Sequence, residues 1–188
     1  MWEWSGSKKK SASVKNTSLL KAYASYLPKT STNHKETISE IPSLQYMESL
    51  LQNKISTYDL KNIKLKLIDF QPLSWEKKHL YSEKQAVERK RFLKFIGYSH
   101  TQECLDAGLD KNDIDLLKQS ISPENYVVHI RIPFDFGGKV SIDNMCLVQT
   151  HPLHDQLHAL IEYQLEKNFL KHHKKLYIPI IEGIIKNA

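Results

Sequence analysis

Hydrophobic positions along this chain change period several times, and each change marks an element. Between residues 46 and 56, Met47, Leu50, Leu51 and Ile55 fall on one face at helical spacing, which predicts a helix. The period then drops to two. Ile63, Leu65 and Leu67 alternate with Asn62, Lys64 and Lys66, the pattern of a half-buried strand. Ser82 with Gln85 three residues on reads as a capping box opening a helix through about Ile96. Tyr126 to Pro133 is β-branched and aromatic and reads as a strand. Asp135-Phe136-Gly137-Gly138 reads as the turn after it and Asn144 to Gln149 as a second short strand, so a hairpin is expected. Pro152 sits where a helix can begin, with Asp155 in the first turn favouring the positive helix end. Leu153, Leu157, Leu160, Ile161, Leu165 and Phe169 follow at a period near that of a helix, so this helix is expected to run from Leu153 to Phe169 with one buried stripe. Leu176 to Ile185, interrupted by Pro179 and Gly183, reads as a short strand or irregular tail packed on the core.

These elements add up to an α+β chain with a mostly helical amino-terminal part. Residues 1–45 are rich in Ser, Thr and Lys, carry Lys8-Lys9-Lys10, and have few large apolar side chains apart from Trp2, Trp4 and the Leu19 to Tyr26 patch. They read as a basic flexible arm. Residues 46–98 form a mixed helix and strand part, and residues 99–188 a carboxy-terminal domain that holds the candidate chemistry. At 188 residues with 40% hydrophobic content, the chain can bury a real core. The formal net charge of +6 suggests a polyanionic partner, for which nucleic acid fits best. Cys104 and Cys146 stand far apart without a Cys-x-x-Cys, which argues against a zinc ribbon and a disulfide framework. No apolar run reaches the roughly 20 residues of a membrane-spanning helix, and the start lacks an apolar signal core. Neither a membrane span nor an ordinary signal peptide is expected, and the producing cell's cytoplasm is the expected location.

The candidate chemistry is concentrated in histidines. His154 and His158 are one turn apart, so both imidazoles can point back toward the hairpin, where His129 on the first strand can supply a third nitrogen. Three imidazoles leave room on a divalent ion for water or phosphate. A His-x-x-x-His pair alone is a weak signal in a chain with nine histidines; the ordered set is stronger. His172 and His173 lie among Lys171, Lys174 and Lys175 and read as a solvated or phosphate-facing patch. Asp110-Lys111-Asn112-Asp113-Ile114-Asp115 starts like a calcium loop but lacks the glycine and the closing glutamate, so Asp110 is read as a helix cap. Glu88, Arg89, Lys90, Arg91 and Lys94 give the helix over 82–96 a basic face, read first as solvated because Glu83 and Glu88 dilute its charge.

The order of these residues carries a resemblance. Val128-His129-Ile130-Arg131-Ile132-Pro133-Phe134-Asp135-Phe136-Gly137-Gly138, then Asp143-Asn144-Met145, then Pro152-Leu153-His154, resembles the HNH nucleases, also called His-Me finger or ββα-metal nucleases. The nearest pattern is the toxin branch of colicin-type and type VI secretion effector domains. Ala107-Gly108-Leu109 and Asp113-Ile114 are similar to the lead-in of such domains, and the likeness spans roughly residues 95 to 170. It implies a carboxy-terminal ββα-metal motif and a metal-dependent endonuclease that hydrolyses DNA, with RNA as the other candidate substrate. His129, His154 and His158 would bind one divalent ion (magnesium, manganese, nickel or zinc), and Asn144 would brace the loop. Gly137 and Gly138 would supply backbone angles that a Cβ forbids. Arg131, Lys139, Lys171 and Lys174 would neutralise phosphates. A bacterial antagonistic effector is implied, delivered into target cells by a dedicated secretion system and matched by a cognate immunity protein.

One departure stands out. Where the family has the histidine that activates water, this chain has Ile130, and general-base help is commonly worth about 10²- to 10⁴-fold. Three readings stay open. Either the register is slipped by one so that His129 is the base; or His151, in the loop before the helix, takes over proton transfer; or the domain keeps the fold without catalysis and binds nucleic acid or a protein.

Overall fold

The computed structural model describes residues 40–54 and 62–187, and within them the chain mixes helices and strands as an α+β fold. Of the expected basic arm, residues 1–39 lie outside the described residues, as do the last two residues of the expected first helix, 55 and 56. Helix α1 spans Leu44–Lys54 and buries Met47 and Leu51. Strand β1 follows at Ile63–Asp69. Helices α2 (Trp75–Ser99), α3 (Thr101–Asp106) and α4 (Lys111–Lys118) come next. Strands β2 (Tyr126–Ile130) and β3 (Met145–Gln149) precede helices α5 (Asp155–Glu166) and α6 (Phe169–His173). Strands β4 (Lys175–Ile181) and β5 (Ile185–Lys186) close the order. Among the described residues no helix is long and apolar enough to cross a membrane.

The strands form two sheets. β1 and β4 pair antiparallel with Leu65 opposite Pro179 and Leu67 opposite Tyr177, while β2 and β3 pair antiparallel with His129 opposite Cys146 and β5 joins β3 in parallel. The segment read as a short strand or tail is thus a seven-residue strand. Pro179 is tolerated in it for a geometric reason. Tyr177 turns its N–H and C=O away from β1 toward the side chain of Gln164, and Pro179, two residues on, faces the same way. Its missing N–H therefore removes no ladder bond.

Two boundaries differ from the sequence expectation. Helix α2 starts at Trp75, capped by Ser74, whose Oγ accepts from Lys77 N at 3.4 Å; Ser82 lies inside the helix. The first turns are held by distant partners that local pattern cannot show: Lys78 pairs with Asp135 at 3.3 Å, and the Tyr81 ring meets Phe134 edge-on. At the other helix, Thr150–His154 forms a wide π-type turn, with His151 extended, before regular α5 begins at Asp155. The apolar stripe then runs over two helices, because Asn168 at φ 60° breaks the chain between α5 and α6. By contrast, the expected cap at Asp110 is present as a full capping box with Asp113.

The division at 98/99 falls at the end of α2 and is not a structural boundary. Phe92, Leu93 and Ile96 of α2 pack with Ile114, Leu117, Val128, Met145 and Leu147 in one core, and β1 pairs with β4 from the far end of the chain. The described residues therefore form a single compact unit.

Candidate metal centre

Strand alternation decides what β2 offers to each side. Val128, with Tyr126 and Ile130 beside it, faces the core built by α2 and α4. His129 must face the other way. It is 8% exposed and lies against the start of α5, whose residues Leu153, Leu157, Leu160, Ile161 and Leu165 are buried and seat the helix. His154 and His158 project from that start one turn apart. One nitrogen from each of His129, His154 and His158 lies within 4.8 Å of the other two. The ring centroids are 5.2 Å apart for His129–His154, 5.7 Å for His129–His158 and 4.3 Å for His154–His158, all near edge-to-face. The three histidines read as ligands from sequence are thus brought together.

The donor set suits a divalent ion. Two imidazole nitrogens on one tetrahedral zinc stand about 3.3 Å apart, given bonds of about 2.0–2.1 Å, and His154 Nε2 and His158 Nε2 are 2.9 Å apart. A few tenths of an ångström of side-chain movement open that pair. Burial pushes the His129 pKa well below its ordinary value, and the His154 and His158 imidazoles and the Arg131 guanidinium push it the same way. Burial also lowers His158, against a smaller opposing pull from Asp155. Both rings are therefore held neutral, with lone pairs available to a metal. His158 Nδ1 is buried with no hydrogen-bond partner among the described residues. An unpaired buried nitrogen costs about 1–3 kcal/mol; it is the ring nitrogen turned away from His154, so an ion held on Nε2 would leave it as it is.

The loop between β2 and β3 is locked by Asn144. Its Oδ1 accepts from Ile132 N at 2.9 Å, and its Nδ2 donates to the carbonyls of Ile132 at 2.9 Å and Lys139 at 3.0 Å. Gly138 passes so close that a Cβ would lie 1.8 Å from the Ile132 oxygen, and Gly137 sits at φ +82°. The Gly-Gly pair is thus required by close approach at one position and by a left-handed backbone at the other.

Other candidates are placed as follows. Arg131 lies on the His129 side of the strand; it donates to the Gly183 carbonyl, and its Nε is buried without a partner among the described residues. Cys146, across from His129, has its thiol pushed up to about 11, chiefly by burial, and is no ready thiolate ligand. Lys139 is exposed on the Gly-Gly loop. Lys171 and Lys174 are exposed on and just after α6, beyond the far end of α5, which lies about 12 Å along that helix from His158 and about 18 Å from His154. They are not gathered with the cluster. His151 is 64% exposed and its Nδ1 lies 2.5 Å from Asp155 Oδ2. Ile130 is half-buried against the α2 core, on the face opposite His129.

Sequence reasoning passed over Asp135. It is 4% exposed, accepts from Leu73 N at 2.8 Å and pairs with Lys78, while its carbonyl accepts from Gln71 N at 2.6 Å. It ties the Gly-Gly loop to the start of α2. An aspartate before Phe-Gly-Gly looks like ordinary turn chemistry, so no local signal distinguishes it.

Compared with protein-family models, curated proteins and solved structures, the chain has no significant match to any of them.

Proposed function

We propose that this chain is a metal-dependent endonuclease of the HNH type that hydrolyses DNA phosphodiester bonds. The observation that carries the reading is the convergence of three imidazoles, His129 from β2 with His154 and His158 from the start of α5. The β2–β3–α5 order and the Asn144 brace agree with the ββα-metal pattern that the sequence resembles. The three histidines would hold one divalent ion, with magnesium, manganese, nickel and zinc as candidates. When bound, that ion would supply positive charge for a phosphodiester oxygen and the departing 3′ oxygen.

The chain's own groups would do the rest. Arg131, anchored on Gly183 beside His129, would meet a non-bridging phosphate oxygen, and Lys139 a flanking phosphate. His151 would accept the proton of the attacking water. The contact of its Nδ1 with the Asp155 carboxylate would favour the tautomer that leaves the Nε2 lone pair free. Asn144 would do no chemistry and would hold the loop that positions the rest. An effector role, delivery by a secretion system and a cognate immunity protein belong to the same proposal and rest on the resemblance alone.

A second reading is a binding module without catalysis. It is favoured by Ile130, which cannot take a proton and packs toward the core rather than the cluster. One experiment separates the two: cobalt or zinc titration by absorbance and calorimetry, beside plasmid nicking in magnesium, manganese, nickel and zinc, for the unaltered chain, His154→Ala and His151→Ala. The endonuclease reading expects stoichiometric metal binding and nicking, both lost in His154→Ala, with nicking alone lost in His151→Ala. Metal binding without nicking selects the binding module, and absence of both removes the metal site.

A further inference from the structure

Among the described residues, a run of exposed positive charge lies on α2, away from the histidines. Lys84, Val87, Lys90, Arg91 and Lys94 recur at spacings of three and four and are all exposed, while Phe92, Leu93 and Ile96 on the other side of the helix are buried. Val87, Lys90, Arg91 and Lys94 line an open groove of about 220 Å³ whose other wall is Ser120, in the turn after α4. The groove is held in shape from below. Ser120 Oγ donates to the Lys90 carbonyl at 3.1 Å, which fastens the end of α4 to α2.

The charges here are largely unspent. Glu88, the acidic residue within this stretch, is only 17% exposed and is taken up by Arg91 at 2.6 Å. Lys84, Lys90 and Lys94 have no ion-pair partner among the described residues. We propose that this face of α2 binds the phosphate backbone of nucleic acid, as a contact separate from the histidine cluster.

Three observations select that occupant. Of the four exposed cations, three are lysines, which protein–protein interfaces tend to exclude and which suit phosphates as mobile point charges. Val87 is the one apolar side chain lining the groove, too little to anchor a protein partner in a dry pocket. From Lys84 to Lys94 the helix rises about 15 Å, over which one strand of a duplex presents about four phosphates. Placement defines what the contact does. α2 packs on the hairpin face that carries Val128, opposite the face that carries His129, so a backbone held here is not presented to the histidines by the same local segment. The groove retains the polymer near the protein and adds affinity without chemistry.

The test uses the full chain without metal, so that it reads binding and not cleavage. Fluorescence anisotropy with a duplex of about 25 base pairs at several salt concentrations would compare the unaltered chain with Lys84→Gln/Lys90→Gln/Lys94→Gln. A charge-matched control, Lys66→Gln/Lys111→Gln/Lys167→Gln, removes three exposed lysines elsewhere. Expected is a loss of affinity in the α2 triple, with the slope of log K against log salt falling by about 2 to 3 as roughly 0.9 is lost per phosphate contact. The control should keep most of both. Thermal melts confirm that the exposed substitutions leave the fold intact, and a second triple with alanine checks that glutamine itself is not the cause. The proposal is overturned if the duplex does not bind, if the control triple weakens binding as much as the α2 triple, or if the α2 triple keeps duplex binding while losing binding to polyglutamate, which would make the face a dock for an acidic protein. Nicking of the same plasmids in metal is a separate readout, so loss of the endonuclease reading leaves this result standing.

Discussion

Gln164 grips the backbone of Tyr177 at both ends: its Oε1 accepts from the Tyr177 N–H at 2.7 Å and its Nε2 donates to the Tyr177 carbonyl at 2.9 Å. The side chain replaces a missing strand along the free edge of β4 and fixes α5, which bears His158, against that sheet. Gln164→Ala leaves a donor and an acceptor unpaired at a site with 0% exposure. We expect a loss of about 2–4 kcal/mol, seen as a fall in Tm of roughly 5–15 °C. Metal affinity should fall with it. A melt within 2 °C or so of the unaltered protein would show that water or a repacked neighbour satisfies Tyr177.

The position of Ile130 sets up a second prediction. Strand alternation turns its side chain toward the core that α2 and α4 help build while His129 faces α5. Ile130→His, the change that restores the family pattern, would place an imidazole against an apolar surface. Stability should fall by about 1–3 kcal/mol, and nicking should not rise. A substantial gain in nicking by Ile130→His would mean that β2 can turn this residue toward the ion, and would return the general-base role to it.

What the sequence made readable and what it hid divide by distance along the chain. The β2–β3 hairpin, the Asp110 cap and the shared face of His154 and His158 depend on neighbours within a few residues, where periodicity and turn chemistry speak directly. The start of α2 depends on Asp135 reaching Lys78, and the strand at 175–181 depends on β1, more than a hundred residues earlier. Local pattern carries no information about such partners. The same limit explains why no local pattern singles out Gln164, whose partner Tyr177 lies on another element. The direction of Ile130 was readable in part, since alternation with His129 follows from the strand itself, but which face would hold the core was not.

Loop geometry yields a third prediction. Asn144→Asp keeps the acceptor for Ile132 N but loses the donor to the Ile132 and Lys139 carbonyls and sets a carboxylate against both. We expect about 1–3 kcal/mol of destabilisation and weaker metal binding through movement of β2. Gly138→Ala should be worse, because its Cβ meets backbone rather than a side chain that can swing aside. Calorimetric metal titration of both variants checks the order. Equal affinities for the two variants and the unaltered chain would separate the loop from the cluster.

The last prediction concerns acid. His129 and His158 have folded-state pKa values below the ordinary imidazole value, chiefly through burial, whereas in the unfolded chain both titrate near pH 6.5. Below that pH the unfolded state binds more protons than the folded one, so stability rises with pH and is lost as pH falls through about 6.5 toward the lower folded values. Each histidine contributes at most about 1.4 kcal/mol per pH unit within that window. The metal-free protein should therefore keep a level Tm from pH 8 to 7 and lose it steadily between about pH 6.5 and 5, above the main carboxylate range. His129→Asn, whose side chain carries no titratable proton, is the comparison that isolates the buried ring. Its curve should be flatter over that interval. Zinc should push the fall to lower pH, because metal and protons compete for the same nitrogens. If His129→Asn leaves the acid slope unchanged, the buried ring is already protonated or solvated in the folded state, and the neutral donor set proposed for the metal loses its basis.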